Sequence, residues 1–242
     1  IINRLMKYDV DIQFPPRSFE ILTGRVRLHD LASTPVVTLT QPSMAAWKKS
    51  VKRVFDILMS LFALVLFFPI MVYVAVRVKR DSSGPIFYKQ ERIGKDGRAF
   101  YMYKFRTMYV GAEQNGPQLS SQNDERITPF GAIMRKYRLD ELPQFWNILK
   151  SDMSVVGPRP HMLVHTQKYT RLIEHYLVRH YVKPGITGWA QVNGYMGETD
   201  ELWKMSKRVE YDMEYLESWS FWWDLEIITQ TVFVKKAYMN AV

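Results

Sequence analysis

The sequence predicts a mainly helical α+β protein built on one apolar membrane element. Three observations predict it. The run from Ile57 to Val76 holds no charged residue over 20 positions, about 30 Å as a helix, enough to span a bilayer core. Several later segments space their apolar residues three and four apart, as amphipathic helices do. One stretch, "AFYMYKFRTM" (Ala99 to Met108), is aromatic enough to read as one or two strands.

Residues 1–46 lack a strong period and contain Pro15, Pro16, Gly24, Pro35 and Pro42. They read as the tail of a preceding domain followed by a linker, with "VVTLT" (Val36 to Thr40) alternating like a short strand. The chain starts at Ile1 with no charged region ahead of an apolar one, so no signal peptide is expected there. Residues 47–80 form the membrane element. Lys48, Lys49, Lys52 and Arg53 precede the apolar run, and Arg77, Lys79 and Arg80 follow it. Lys and Arg collect on the cytoplasmic side of spanning helices, and here both flanks are basic. Pro69 lies inside the run, where it removes a backbone donor and crowds the preceding turn. The residues alone leave two readings open: one kinked spanning helix, or a helix that enters and returns.

Residues 81–242 are long enough for one catalytic domain. "ITPFGAIMRKYRL" reads as a helix capped by Thr128 with Pro129 at its first position. "DELPQFWNILKSD" reads as another, with Asp140 as its N-cap. "PRPHMLVHTQKYTRLIEHYLVRHYV" is expected to continue as helix, and "KPGITGWAQVNGYMGET" as a glycine-rich loop. "GAEQNGPQLSSQND" reads as a polar loop. Two charged, amphipathic segments close the chain. Trp219, Phe221, Trp222 and Trp223 are expected at the lipid headgroups, with Lys235 and Lys236 facing anionic lipid.

The chain carries 33 Lys and Arg against 24 Asp and Glu, a net charge of +9, which points to anionic partners. It has no cysteine, which excludes disulfides and thiolate chemistry. The most chemical constellation is Asp140–Glu141, with Arg135 and Arg138 upstream and Arg159 downstream in "GPRP". Adjacent carboxylates at a helix start often do no more than cap it. Among arginines they stay ionised, and can then act as a nucleophile or bind Mg²⁺. Helix amides and arginines also bind phosphate. The combination suits phosphoryl transfer better than proton transfer. Lys104 and Arg106 in "YKFRTM", and Arg159 between two stiffening prolines, are candidate phosphate contacts. "PGITGWAQVNG" (Pro184 to Gly194), with Asn193, allows backbone to approach a ligand closely. His161 and His165 are four apart but lack the glutamate of a zinc protease, so a structural role is expected.

Together, "KRVFDILMSLFALVLFFPI", "YKFRTM", "LDELPQFWNILKSDMSVVGPRP" and "PGITGWAQVNG" resemble the bacterial monotopic phosphoglycosyl transferases, from about Lys52 to the chain end. The resemblance implies transfer of a sugar phosphate from a UDP-sugar to polyprenyl phosphate, with Mg²⁺ and release of UMP. It implies a bacterial inner-membrane protein working at the cytoplasmic face, through a re-entrant helix broken at Pro69 and amphipathic interfacial helices. It makes Asp140 the nucleophile, Glu141 its partner at the metal, and Arg135 and Arg159 phosphate ligands. Phe68 stands where small members often have serine, and Tyr195 where they have arginine after "QVNG". "NGYMGETDELWKM" resembles instead the large members that transfer glucose 1-phosphate in exopolysaccharide synthesis. The apolar surface leaves room for lipid and for a homodimer.

Two other classes compete. A membrane-anchored basic scaffold would need neither carboxylate. A nucleic-acid binder would interleave basic and exposed aromatic residues along one stripe, whereas here the charge collects around the membrane element and Asp140.

Overall fold

The computed structural model describes residues 12–14, 26–31, 34–39, 45–112, 124–173, 175–197 and 201–233. Two compact units divide the chain, Ile1–Lys48 and Lys49–Val242. In the first, β1 (Ile12–Phe14), β2 (Val26–Leu31) and β3 (Thr34–Leu39) form an antiparallel sheet in the order β1-β3-β2. The expected strand at Val36 lies in β3. Lys235 and Lys236 fall outside the described residues, as does most of the expected polar loop after Gly111.

Helix α1 (Ala46–Asp81) spans 36 residues, about 54 Å at 1.5 Å per residue. It is the helix, among the described residues, that is long and apolar enough to cross a membrane. Helical conformation continues through Pro69, where the sequence predicts a break. A proline can bend a helix without ending it, and the apolar neighbours of Pro69 offer no turn chemistry to compete.

Both ends of α1 pack on the same domain. Near its start, Lys52 Nζ lies 2.6 Å from Asp224 Oδ2, and Arg53 donates to the carbonyls of Ile148 and Leu149 at 2.7 and 2.9 Å. Buried Asp56 accepts from Ser154 Oγ and Val155 N, both at 2.9 Å. Phe55 meets Phe221 edge-on. Near its end, Val74 and Val78 share a core with Phe105, Phe130 and Met134. Between these anchors Leu61, Phe62, Val65, Leu66, Phe68 and Ile70 stand exposed. The middle of α1 is thus an apolar surface that nothing in the described domain covers.

The domain adds a hairpin of β4 (Phe87–Ile93) and β5 (Ala99–Phe105), paired from Phe87↔Phe105 to Ile93↔Ala99. Helix α2 (Pro129–Lys136) follows, capped by Thr128, whose hydroxyl accepts from Gly131 N as expected. A 3₁₀ turn (Leu139–Glu141) leads to α3 (Gln144–Leu149). Strands β6 (Ser154–Val156) and β7 (Gly185–Thr187) pair in parallel. Between them come α4 (Leu163–Tyr169) and a 3₁₀ turn (Tyr176–Tyr181). The expected long helix is thus interrupted, with His175 taking a left-handed conformation at the second turn's start. The expected glycine-rich loop contains β7 and the short α5 (Trp189–Val192). Helices α6 (Leu202–Ser218) and α7 (Phe221–Phe233) close the described chain.

The terminal aromatics divide differently from expectation. Trp219 is buried and donates to Asp224, Trp223 packs on Trp189 and Tyr215, and Phe221 packs on Phe55. Trp222, 76% exposed, is the one of the four turned outward. An indole whose N–H finds a buried carboxylate gains more from the core than from headgroups.

Candidate active site

Asp140 and Glu141 do not cap a helix as the sequence suggests. They sit in the 3₁₀ turn, after Arg138 in left-handed backbone (φ 55°), and α3 begins only at Gln144 behind Pro143. The left-handed residue reverses the chain between α2 and α3 at a cost of about 1–2 kcal/mol. It leaves both carboxylates buried. Leu139 and Leu142 pack on the core that holds the end of α1, which fixes the turn from both sides.

Strand β5 supplies the facing cation. Asn147 of α3 matches the strand's edge, accepting from Tyr103 N at 2.9 Å and donating to Tyr101 O at 2.7 Å. The next residue, Lys104, then reaches both acids. Its Nζ lies 2.8 Å from Glu141 Oε1 and 3.9 Å from Asp140 Oδ2. Arg159 donates to the same Glu141 Oε1 at 3.1 Å. Arg135 donates from Nε to Thr107 Oγ1 at 3.0 Å, and its charge acts on Asp140.

The two acids differ in proton affinity. Burial pushes Asp140 up to about 6, helped by the charge of Glu141 and opposed by Lys104 and Arg135. Burial also pushes Glu141 up, but Lys104 and Arg159 outweigh it and hold that carboxylate well below its usual range. Glu141 is the fixed anion; Asp140 is the less neutralised of the two. Lys104 and Arg159 both meet Oε1, so Oε2 is the oxygen Glu141 can offer a cation. Two carboxylates are a sufficient protein share for Mg²⁺ when phosphates and waters complete its shell. The donor set fits that ion.

A family model described as bacterial sugar transferase matches residues 47–237. The chain belongs to the bacterial sugar transferase family. It is 44% identical over 234 residues to a UDP-glucose:undecaprenyl-phosphate glucose-1-phosphate transferase of Xanthomonas campestris pv. campestris, covering 96% of this chain and 48% of that protein. The protein of the same name in Escherichia coli (strain K12) is 42% identical over 240 residues, covering 99% and 51%. A shorter relative, the exopolysaccharide production protein PSS of Rhizobium leguminosarum bv. phaseoli, is 43% identical over 185 residues, 75% of this chain and 92% of that one. The chain spans about half the length of the first two relatives.

In this family member the structure brings together Asp140, Glu141, Lys104, Arg159 and Arg135. Arg106 goes elsewhere. Its guanidinium donates to the carbonyls of Ser82 (2.7 Å), Val78 (3.5 Å) and Ser83, closing the C-terminus of α1. In the structure it serves as a helix cap. Asn193 also turns to its own helix, donating to Trp189 O at 2.9 Å. Pro69 lies within α1.

The glycines of "PGITG" approach backbone, where the sequence suggests a ligand. A Cβ on Gly185 would stand 2.1 Å from Gly157 N, and one on Gly188 would stand 2.2 Å from Gly157 O. This close packing sets Gly157, and with it the "PRP" segment that carries Arg159. Sequence reading missed a buried polar cluster behind Arg159, made of His161, Tyr176, Arg179, Arg208 and Asp212. These residues come from three separate stretches of the chain. His161 has the expected structural setting, and the side chain of His165 is outside the described set.

Proposed function

We propose that this protein transfers a hexose 1-phosphate, with glucose as the favoured sugar, from a UDP-sugar to undecaprenyl phosphate and releases UMP. The observation that carries the reading is the unequal acid pair, in which Glu141 is neutralised by Lys104 and Arg159 while Asp140 is left as the reactive oxygen. The names of the relatives support the substrates. A relative from Aeromonas hydrophila, 41% identical over 214 residues, is named for N-acetylgalactosamine, so identity of this order does not by itself select the sugar.

In the proposed mechanism Asp140 attacks the sugar-side phosphorus of the diphosphate. A new Asp140–phosphorus bond forms as the bridging P–O bond breaks, and UMP departs with the bridging oxygen. An oxygen of undecaprenyl phosphate then attacks the same phosphorus and returns Asp140 to a carboxylate. Arg159, Arg135 and Lys104 hold the phosphate charge that both displacements spread over oxygen. Bound Mg²⁺, held by Asp140 and Glu141, would supply further neutralisation of that charge. Two displacements at one acid give ping-pong kinetics.

The same reading places the domain at the cytoplasmic face of the bacterial inner membrane, where the lipid acceptor and the soluble donor meet. The two ends of α1, both anchored to one domain, support an element that enters and leaves on one side, with residues 47–80 as the membrane part and 81–242 as the catalytic part. Ile133, Tyr137, Trp146 and Trp222, all exposed, support further contact with lipid by α2, α3 and α7. Residues 1–46 would then be the tail of a domain shared with the longer relatives. The test is UMP release by the full natural chain with Mg²⁺, undecaprenyl phosphate and a panel of UDP-sugars. Release with UDP-glucose, lost in Asp140→Asn, is expected. No release with any UDP-sugar would refute the activity.

A further inference from the structure

Each backbone carbonyl of the segment Arg159–His161 accepts a hydrogen bond. Arg179 donates from one terminal nitrogen to Arg159 O at 2.9 Å, Arg92 donates to Pro160 O at 3.4 Å, and Ile93 N donates to His161 O at 3.1 Å. Arg179 is 2% exposed, and the same guanidinium meets Asp212 Oδ2 at 2.8 Å. Its other terminal nitrogen lies 2.7 Å from His161 Nδ1 and 3.1 Å from Nε2.

A second buried arginine completes the arrangement. Arg208, 4% exposed, reaches His161 Nε2 at 3.2 Å and donates to Tyr195 O and Gly197 O at 2.7 and 2.8 Å. Guanidinium groups only donate and a neutral imidazole offers one acceptor nitrogen, so Nε2, which lies 3.1 Å from Arg179 and 3.2 Å from Arg208, is the atom His161 can offer to both, and Nδ1 faces Tyr176 Oη at 2.5 Å. Two buried cations, Arg179 and Arg208, thus face one acid, Asp212, and the charges of Arg179 and Arg159 both act on Arg208. Their electrostatic coupling lowers the proton affinity of Arg208, after burial, the larger cause. Replacing a buried charge cluster by apolar residues is often neutral or stabilising. The planar forks instead satisfy carbonyls on two separate segments at once, which lysine or an apolar residue cannot do.

We propose that Arg179 is a positioning residue of the transfer reaction: it sets Arg159 against Glu141, and through His161 and Arg208 it keeps the Tyr195–Gly197 loop in register with the phosphate clamp. This rests on the transfer activity proposed above. Arg179 touches no reacting atom; it acts through the Arg159 backbone.

A double-mutant cycle in UMP release tests this, using the full natural chain in lipid nanodiscs. Arg179→Lys keeps a cation for Asp212 but cannot span His161 and Arg159 O together. In the wild-type background it lowers kcat at least tenfold with KM for the UDP-sugar changed less than threefold. In an Arg159→Ala background the same change lowers kcat less than twofold, because the group it positions is gone. If Arg179→Lys unfolds the protein, Arg179→Met, which leaves Arg208 to balance Asp212, takes its place and must give the same contrast. Equal losses in the two backgrounds, or activity within twofold of wild type, overturn the positioning role. An inactive wild type, in contrast, refutes the transfer activity and takes this inference with it.

Discussion

Replacing Lys104 by methionine removes the one cation the two site acids share. At an effective dielectric near 20, a charge 2.8 Å from Glu141 and 3.9 Å from Asp140 attracts them by about 6 and 4 kcal/mol before desolvation. Taking one partner from a buried ion pair costs about 3–5 kcal/mol net. For a chain of this size that lowers Tm by about 10 °C. The loss depends on pH. In wild type, Glu141 is depressed, so its contribution is present above its unfolded value and disappears as pH falls. Asp140, raised to about 6, contributes below its unfolded value and loses that contribution as pH rises through 6. Without Lys104, Asp140 is raised further and Glu141 keeps only Arg159 to hold it down, so a proton can replace the missing cation at low pH. Thermal unfolding with chelator present therefore separates wild type from Lys104→Met by about 10 °C at pH 8 and by less than half of that at pH 5. A gap that is the same at both values would refute the electrostatic account of the site.

Three other outcomes follow from the geometry. Arg106→Met strips the carbonyls at the end of α1 of a charged donor, and chemical denaturation should show a loss of about 2–3 kcal/mol; no change would mean that the cap carries no weight. Gly185→Ala drives a Cβ against Gly157 N and should cut UMP release at least tenfold, while Gly97→Ala, with open space around it, should cost about 1 kcal/mol and keep activity. Single cysteines at Lys48 and Arg80, in a chain without natural cysteine, should both react with a membrane-impermeant maleimide from the same side of inverted vesicles. Labelling from opposite sides would make α1 a spanning helix.

The candidate site was largely legible because its parts are local. "DEL", "YKF" and "GPRP" each place a charge in a short apolar or proline-stiffened stretch, and the fold brings Asp140, Glu141, Lys104 and Arg159 together. Arg106 lies apart from the acids for a geometric reason. It shares a strand-like alternation with Lys104, but β5 ends at Phe105 and the next residue turns to the end of α1. Asn193 and the glycines of "PGITG" carry composition signals that fit a ligand as well as a backbone contact, and only the pairing of β6 with β7 separates the two. The cluster around His161 left no local trace. Arg208 and Asp212 stand four apart on α6, the spacing of an ordinary surface ion pair, and nothing in the chain signals that both are buried. Proline alone could not decide the course of α1, since helix continues through Pro69. The anchors at Lys52, Arg53 and Asp56 depend on contacts with residues far along the chain.

The most direct measurement is the intact mass of the protein after incubation with UDP-glucose and Mg²⁺ in the absence of lipid acceptor. The covalent account predicts one equivalent of UMP and a protein heavier by one hexose phosphate, mapped to Asp140 and absent from Asp140→Asn. UMP released only when undecaprenyl phosphate is added, with the protein mass unchanged throughout, would contradict it and point to direct transfer between the two substrates.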